Sequence, residues 1–185
     1  YDTAQGMDTL VSELSMLSKL SLDKIPFYFE RIGAKDFFDE FACYASDTLG
    51  EAGIEFIYNF ECDGDTNINI DPAQFKRVLN NLIDNSRKYG AEDGTAKIML
   101  SVADGEKGRV EICVEDNGRG VPEDEREKIF ETFYRGDKAR TGPKKGSGLG
   151  LSITKQITDR HGASIRADES GLGGLKVIID MPKAK

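Results

Sequence analysis

Residues 71–90 read DPAQFKRVLNNLIDNSRKYG. Asp71 followed by Pro72 is an N-cap and first-turn pair, so a helix opens here. Phe75, Val78, Leu79, Leu82 and Ile83 recur at helical spacing and form one apolar face. The opposite side carries Asn81, Asn85 and Lys88 at i, i+4 and i+7, with Asn80 and Asp84 about 100° round. Asparagines in a helix interior compete for its backbone and weaken it. A polar helix face is the ordinary reading of such a stripe taken alone. What lies on either side of the helix changes that reading.

Upstream, residues 54–61 (IEFIYNFE) alternate and are rich in aromatic and β-branched types, which predicts a strand. The turn CDGDT (62–66) joins it to a second strand at 67–70 (NINI). Downstream, strands are predicted at 96–103 and 109–115, a short helix at 123–134 and a helix at 149–161 ended by Gly162. Strands at 163–169 and 174–181 follow, joined by Gly171, Gly173 and Gly174. Residues 36–50 form a further helix before Gly50 and Gly53. Near the start, Met7, Leu10, Leu14 and Leu17, with Val11 and Leu20 beside them, make a short a/d-like seam. No N-cap precedes it, as though the chain enters mid-element, and Pro26 ends it. The expected fold is α+β: a two-layer sandwich with a mixed sheet of about five strands on about three helices.

Composition narrows the chemistry. The 185 residues carry a net charge of −8 and are 38% hydrophobic and 31% charged, which suits one soluble domain with a modest appendage. The acidic balance argues against nucleic acid as a partner. No apolar run approaches the roughly 20 residues of a membrane span. Cys43, Cys62 and Cys113 offer no CxxC pair, and buried reduced thiols are expected. His161 is the only histidine, so a multi-histidine zinc site is excluded. Charge is uneven: residues 1–70 hold 14 acids and 4 bases, whereas residues 71–185 hold 19 acids and 21 bases. The second part is the better place for an anionic ligand. Within it, RGDKARTGPKK (135–145) is a basic loop broken by glycine and proline.

Two further polar clusters flank the helix at 72–89. In VEDNGRGVP (114–122) a strand delivers Asp116 into a loop where Gly118 and Gly120 permit close backbone approach. A carboxylate there can accept from an amino group on a ring such as adenine. In GSGLGL (146–151) a glycine turn feeds a helix N-terminus, which binds phosphate through backbone N–H groups and the helix dipole. It is neither a Rossmann fingerprint nor a Walker A loop. An asparagine amide oxygen, as at Asn85, is a neutral ligand suited to Mg²⁺ that binds mainly through phosphates.

With these clusters in this order, the chain resembles the catalytic ATP-binding domain of two-component sensor histidine kinases. FKRVLNNLIDNSRKYG (75–90) resembles the N box, VEDNGRGVP (114–122) the first glycine box, IFETFYRGD (129–137) the F box and GSGLGLSITKQITDRHG (146–162) the second glycine box. The likeness runs over residues 35–182. Residues 1–25 resemble the end of the second helix of the dimerisation and histidine-phosphotransfer hairpin, which leaves 26–185 as the catalytic domain. The resemblance implies ATP and Mg²⁺ as cofactors. Asn85 would ligate the metal, with Asn81 supporting it, and Lys88 and Tyr89 would contact the nucleotide. Asp116 would read the adenine amine in a pocket shaped by Gly118, Gly120 and Val121. Phe130 and Phe133 would anchor a mobile lid at 136–147, and Arg135 would approach the γ-phosphate. Gly146, Gly148, Leu149, Gly150 and Leu151 would close over the phosphates. Asn81, Lys88 and Arg135 are thus the catalytic set.

The family's phosphoacceptor is a histidine followed by an acid, and no such pair stands here; His161 falls at a structural position. The implied partners are an upstream phosphoacceptor hairpin, a response regulator receiver domain and a second copy of the full-length protein. The implied place is the cytoplasmic side of a membrane-anchored sensor. Gyrase- and MutL-like ATPases resemble this group too, but they carry a water-activating glutamate where Asn81 stands, which disfavours vigorous hydrolysis here. An anti-sigma-factor serine kinase or an idle interaction module are the remaining rivals.

Overall fold

The computed structural model describes residues 2–22, 24–91, 94–136 and 147–184, with side chains from residue 10 onward. Gly146 and almost all of the basic loop and expected lid lie outside the described residues. The elements in chain order are α1 (Asp2–Ser21), β1 (Glu30–Gly33), α2 (Ala34–Glu51), β2 (Glu55–Glu61), β3 (Asn67–Ile70), α3 (Pro72–Tyr89), β4 (Lys97–Asp104), β5 (Arg109–Asp116), α4 (Gly150–Arg160), β6 (Ser164–Glu169) and β7 (Leu175–Pro182). Five strands form one mixed sheet in the order β2-β4-β5-β7-β6. Only β2 and β4 run parallel in it.

Alternation along the strands builds the core. Ile98, Leu100 and Val102 of β4, Val110, Ile112 and Val114 of β5, and Val177, Ile179 and Met181 of β7 are all buried. They share one hydrophobic cluster with Leu79 and Leu82 of α3 and Ile153 and Ile157 of α4. Burying each such side chain contributes roughly 1.5–3 kcal/mol. The result is the expected α+β sandwich, with helices on one face of a five-stranded mixed sheet. The Asp71 carboxylate caps α3 by accepting from Gln74 N–H at 2.9 Å, and all five predicted apolar residues of α3 are buried.

The structure differs from the expectation in four places. First, β2 and β3 do not pair. β3 pairs antiparallel with β1, a four-residue strand too short to show a period. The parallel β2–β4 pair needs a crossover, and α3 supplies it. Second, residues 123–134 are not an α-helix but two 3₁₀ turns, Glu123–Glu125 and Lys128–Phe130. Buried Phe130 and the Arg126–Asp168 ion pair at 2.8 Å pin the segment instead. Third, the seam of α1 is divided. Met16, Leu17 and Leu20 are buried, whereas Leu10, Val11 and Leu14 are 38%, 65% and 43% exposed. The side chain of Met7 lies outside those described. Fourth, only Cys113 is buried; Cys62 is half-buried and Cys43 faces solvent on α2, and all three are free thiols. Burial pushes the Cys113 thiol up to about 11 and that of Cys62 up to about 12.

His161 closes α4 and ties it to α3. Its Nε2 accepts from the Asp71 N–H at 3.0 Å, and Nδ1 lies 2.7 Å from the Ile157 carbonyl, which makes Nδ1–H the donor. The ring meets Phe27, Phe29 and Phe75 edge-on. Burial pushes the imidazole below its ordinary value. The unfolded chain therefore takes up this proton first, near pH 6.5. The contribution of neutral His161 is intact above that pH and is lost as pH falls toward the lower folded value. The melting temperature between about pH 6.5 and 5 should fall less steeply in His161→Gln than in the wild type. Parallel slopes would remove His161 as the titrating group.

Candidate functional site

A cavity of about 760 Å³ opens between α3, the loop after β5, the residues around Tyr134–Gly136, the start of α4 and the β6–β7 turn. It collects most of the residues singled out from the sequence. Asn81, Asn85, Lys88 and Tyr89 come from α3, Asp116, Gly120 and Val121 from the loop, and Arg135, Gly148, Gly150 and Leu151 from the second half. Helical spacing explains the first set: i, i+4 and i+7 keep Asn81, Asn85 and Lys88 on one side while the apolar face is buried beneath.

Three predicted residues are not in the wall. Gly118 lies behind it, against the carbonyl of Tyr89. Leu149 is fully buried beneath α4 and serves the core. Phe133 is 57% exposed and has φ +65°, and almost all of the lid it is expected to anchor lies outside the described residues. The Phe133 backbone N–H donates to the Gly148 carbonyl at 3.1 Å, which joins the F-box segment to the glycine turn. Phe130 is the buried anchor of that segment.

One part of the cavity wall is built around Asp116. It ends β5, is 2% exposed, and its Oδ1 accepts from the N–H groups of Gly118 (2.9 Å) and Leu175 (3.1 Å). Burial pushes the carboxyl above its ordinary value; hydrogen bonds from Gly118, Leu175 and Ser86 oppose that shift. Two glycines make this packing possible. A Cβ on Gly118 would collide with the Tyr89 carbonyl. A Cβ on Gly174 would collide with Asp116 Oδ1 and lie 2.5 Å from Gly118 N. The Gly174 N–H also donates to the Asp116 carbonyl at 3.1 Å. The β6–β7 turn was not recognised as part of the site from sequence. The available signal was the glycine pair Gly173-Gly174, which a plain hairpin does not need.

The start of α4 lines the same cavity. Gly150 and Leu151 open α4, whose first-turn N–H groups lack intrahelical partners; among the described residues Leu149 offers no side-chain cap, and Ser147 Oγ accepts from the Leu149 N–H at 3.1 Å. The dipole adds partial positive charge there. Lys88 and Arg135 stand in the same wall. Asn81 commits its amide NH₂ to the Gly150 carbonyl (3.3 Å) and Thr154 Oγ1 (3.4 Å), which fixes α4 against α3. The Arg119 guanidinium stacks 4.7 Å over the Tyr89 ring. Among the described residues, no group of three or more His, Cys, Asp or Glu side chains could hold a metal. A divalent ion here would need ligand phosphates as well as an amide oxygen such as that of Asn85.

The cavity therefore brings a desolvated carboxylate acceptor, a helix N-terminus and two cations, Lys88 and Arg135, into one wall. Residues 70–185 match the family of histidine kinase-, DNA gyrase B- and HSP90-like ATPases. The chain belongs to that family. Within it, the sequence is similar to sensor histidine kinase WalK of Bacillus subtilis, 36% identical over 96% of this chain and 29% of WalK. The chain thus spans under a third of that relative's length. The solved catalytic domain of histidine kinase ThkA superposes with a TM-score of 0.71 at 27% identity, covering 86% of this chain and all of that one. Full-length ShkA, solved with AMPPNP, has the same fold over the whole of this chain and 37% of its own length, at a TM-score of 0.82 and 23% identity. This ATPase-family domain is thus similar in fold to the catalytic domains of histidine kinases.

Proposed function

We propose that this domain binds ATP with Mg²⁺ and donates the γ-phosphate to a histidine outside the chain, for relay to a response regulator in two-component signalling. The observation that carries this reading is that one cavity is lined both by buried Asp116 and by the start of α4 with Lys88 and Arg135. A purine amine suits the first and a polyphosphate the second. Apolar side chains such as Val121, Ile129, Leu151 and Leu175 complete the wall and would exclude water from the ring.

In phosphoryl transfer a protein mainly positions groups and offsets charge. Asp116 would orient the base by accepting from its amine. The N–H groups at the start of α4 would hold the phosphates, and Lys88 and Arg135 would offset charge as it develops on the transferred group. Charge neutralisation is the chemistry a bound Mg²⁺ would add, held by Asn85 with Asn81 in support. His161 is a poor acceptor, since it is 6% exposed and both ring nitrogens are engaged.

The remaining expectations belong to the same reading. Residues 1–25 would be the end of a dimerisation hairpin and 26–185 the catalytic domain. The exposed stripe of Leu10, Val11 and Leu14 supports pairing with a second copy of the full-length protein. No helix among the described residues is long and apolar enough to cross a membrane, and we place the domain on the cytoplasmic side of a membrane-anchored sensor.

Calorimetric titration with a non-hydrolysable ATP analogue tests the reading. Binding strengthened by Mg²⁺ is the expected result; a folded sample that binds in neither condition overturns it. In Asn85→Ala the gain from Mg²⁺ should shrink at least tenfold, as expected for loss of about 1.4 kcal/mol or more, while metal-free affinity stays near the wild type. An unchanged gain would remove Asn85 as the ligand. Phosphate transfer to a separately supplied hairpin bearing the acceptor histidine is the complementary assay.

A further inference from the structure

Among the described residues lining the cavity, Glu13 alone comes from α1. The helix that carries it is firmly placed. Met16, Leu17 and Leu20, one and two turns further on, are buried in the common core. Arg160, at the end of α4, donates to the carbonyls of Leu20 and Ile25, both at 3.0 Å, and stacks 4.9 Å over the Phe27 ring. Ser21 meets Gln156 of α4 at 3.3 Å. The same helix, α4, thus grips α1 at one end and presents its N-terminus to the cavity at the other.

Glu13 Oε2 is out of solvent and accepts no hydrogen bond among the described residues. A buried carboxylate oxygen with no donor among the described residues is costly, so its place against a ligand cavity calls for an explanation. On α3, Arg77, Asn81, Asp84, Asn85 and Lys88 run along one side at i, i+4, i+7, i+8 and i+11. Burial pushes the half-buried Arg77 guanidinium down and the Glu13 charge opposes that shift, so Glu13 sits by the N-terminal end of this stripe. From there it joins Asn81 and Asp84 in the wall. A carboxylate so placed repels a bare polyphosphate and attracts one that carries a divalent cation.

We propose that Glu13 makes α1 part of the nucleotide site and acts as a specificity residue that favours metal-loaded over metal-free nucleoside triphosphate. The inference rests on the ATP and Mg²⁺ reading above. It has a second consequence, because coupling between two binding events is reciprocal. If α1 senses the occupant through Glu13, a metal-loaded occupant holds α1 in its docked position and a metal-free one loosens it.

The test titrates the 185-residue chain with AMPPNP, once in excess Mg²⁺ and once in EDTA, for the wild type, Glu13→Gln and Glu13→Lys. Circular dichroism and melting curves confirm folding. The ratio of the two affinities should fall about tenfold in Glu13→Gln, mostly through tighter binding in EDTA, and further in Glu13→Lys. A ratio within twofold of wild type in both folded variants overturns the proposal. Hydrogen exchange supplies a readout that plain helix packing would not move. Mg²⁺–AMPPNP should slow exchange in residues 10–21 of the wild type more than in Glu13→Gln, and equal slowing counts against the coupling. If the wild type binds AMPPNP in neither condition, the nucleotide reading itself falls and this inference with it. Wild-type binding with an unchanged ratio in the variants sinks the Glu13 assignment alone.

Discussion

Asp116→Asn should weaken binding of an ATP analogue by about a hundredfold while leaving the domain folded. The substitution is nearly isosteric, and an amide oxygen can still accept from the Gly118 and Leu175 N–H groups that now bind Oδ1. What changes is the part offered to the ligand. An NH₂ group turned toward a base amine presents donor to donor. Hydrogen bonds to charged partners contribute about 1.5–3 kcal/mol, and leaving a buried donor unmatched costs a similar amount again. Asp116→Ala should lose at least as much affinity, and it should also lower stability, because two backbone donors lose their acceptor. Calorimetric titration together with a melting curve separates the two effects. Wild-type affinity in folded Asp116→Asn would remove this residue from base recognition.

Gly174→Ala should damage both stability and binding. The added methyl has nowhere to go: it meets Asp116 Oδ1, the Asp116 carbonyl and Gly118 N. All three are backbone or backbone-held, so the cost cannot be relieved by turning a flexible side chain. Overpacking of this kind costs about 1–3 kcal/mol, or roughly 2–10 °C in melting temperature for a domain of this size. The turn must also back away from Asp116, which loosens the Gly174 N–H bond to its carbonyl. Nucleotide affinity should therefore fall about tenfold or more even where the variant is fully folded. Gly171→Ala is the matched control. A Cβ there meets nothing within 4 Å, so its melting temperature and affinity should stay near those of the wild type. Equal effects at both positions would show that the turn tolerates no side chain anywhere, and that the contact with Asp116 is not the cause.

The helix at 71–90 was legible almost to the residue. Its N-cap, its first-turn proline and its apolar period all act within one or two turns of backbone, and such signals survive in any tertiary setting. Asp116 and the turn before α4 were legible for a related reason, since glycines beside a polar residue mark backbone that must pass close to something. The pairing of β3 with β1 was not legible. Which edge a four-residue strand joins depends on where the crossover through α3 carries the chain, a long-range matter with no local trace. The 123–134 segment misled because its composition favours a helix, while the contacts of Phe130 and Arg126 reward another path.

The sequence by itself determined the family, the α+β class and the set of residues on the cavity side of α3, because helical period and glycine placement are local properties of the chain. Only the tertiary structure brought Gly174 against Asp116 and Glu13 of α1 into the cavity wall. Those contacts join positions 58 and about 70 residues apart, and at that distance along the chain a meeting is decided by how the sheet and helices pack, not by anything their own neighbours in sequence can signal.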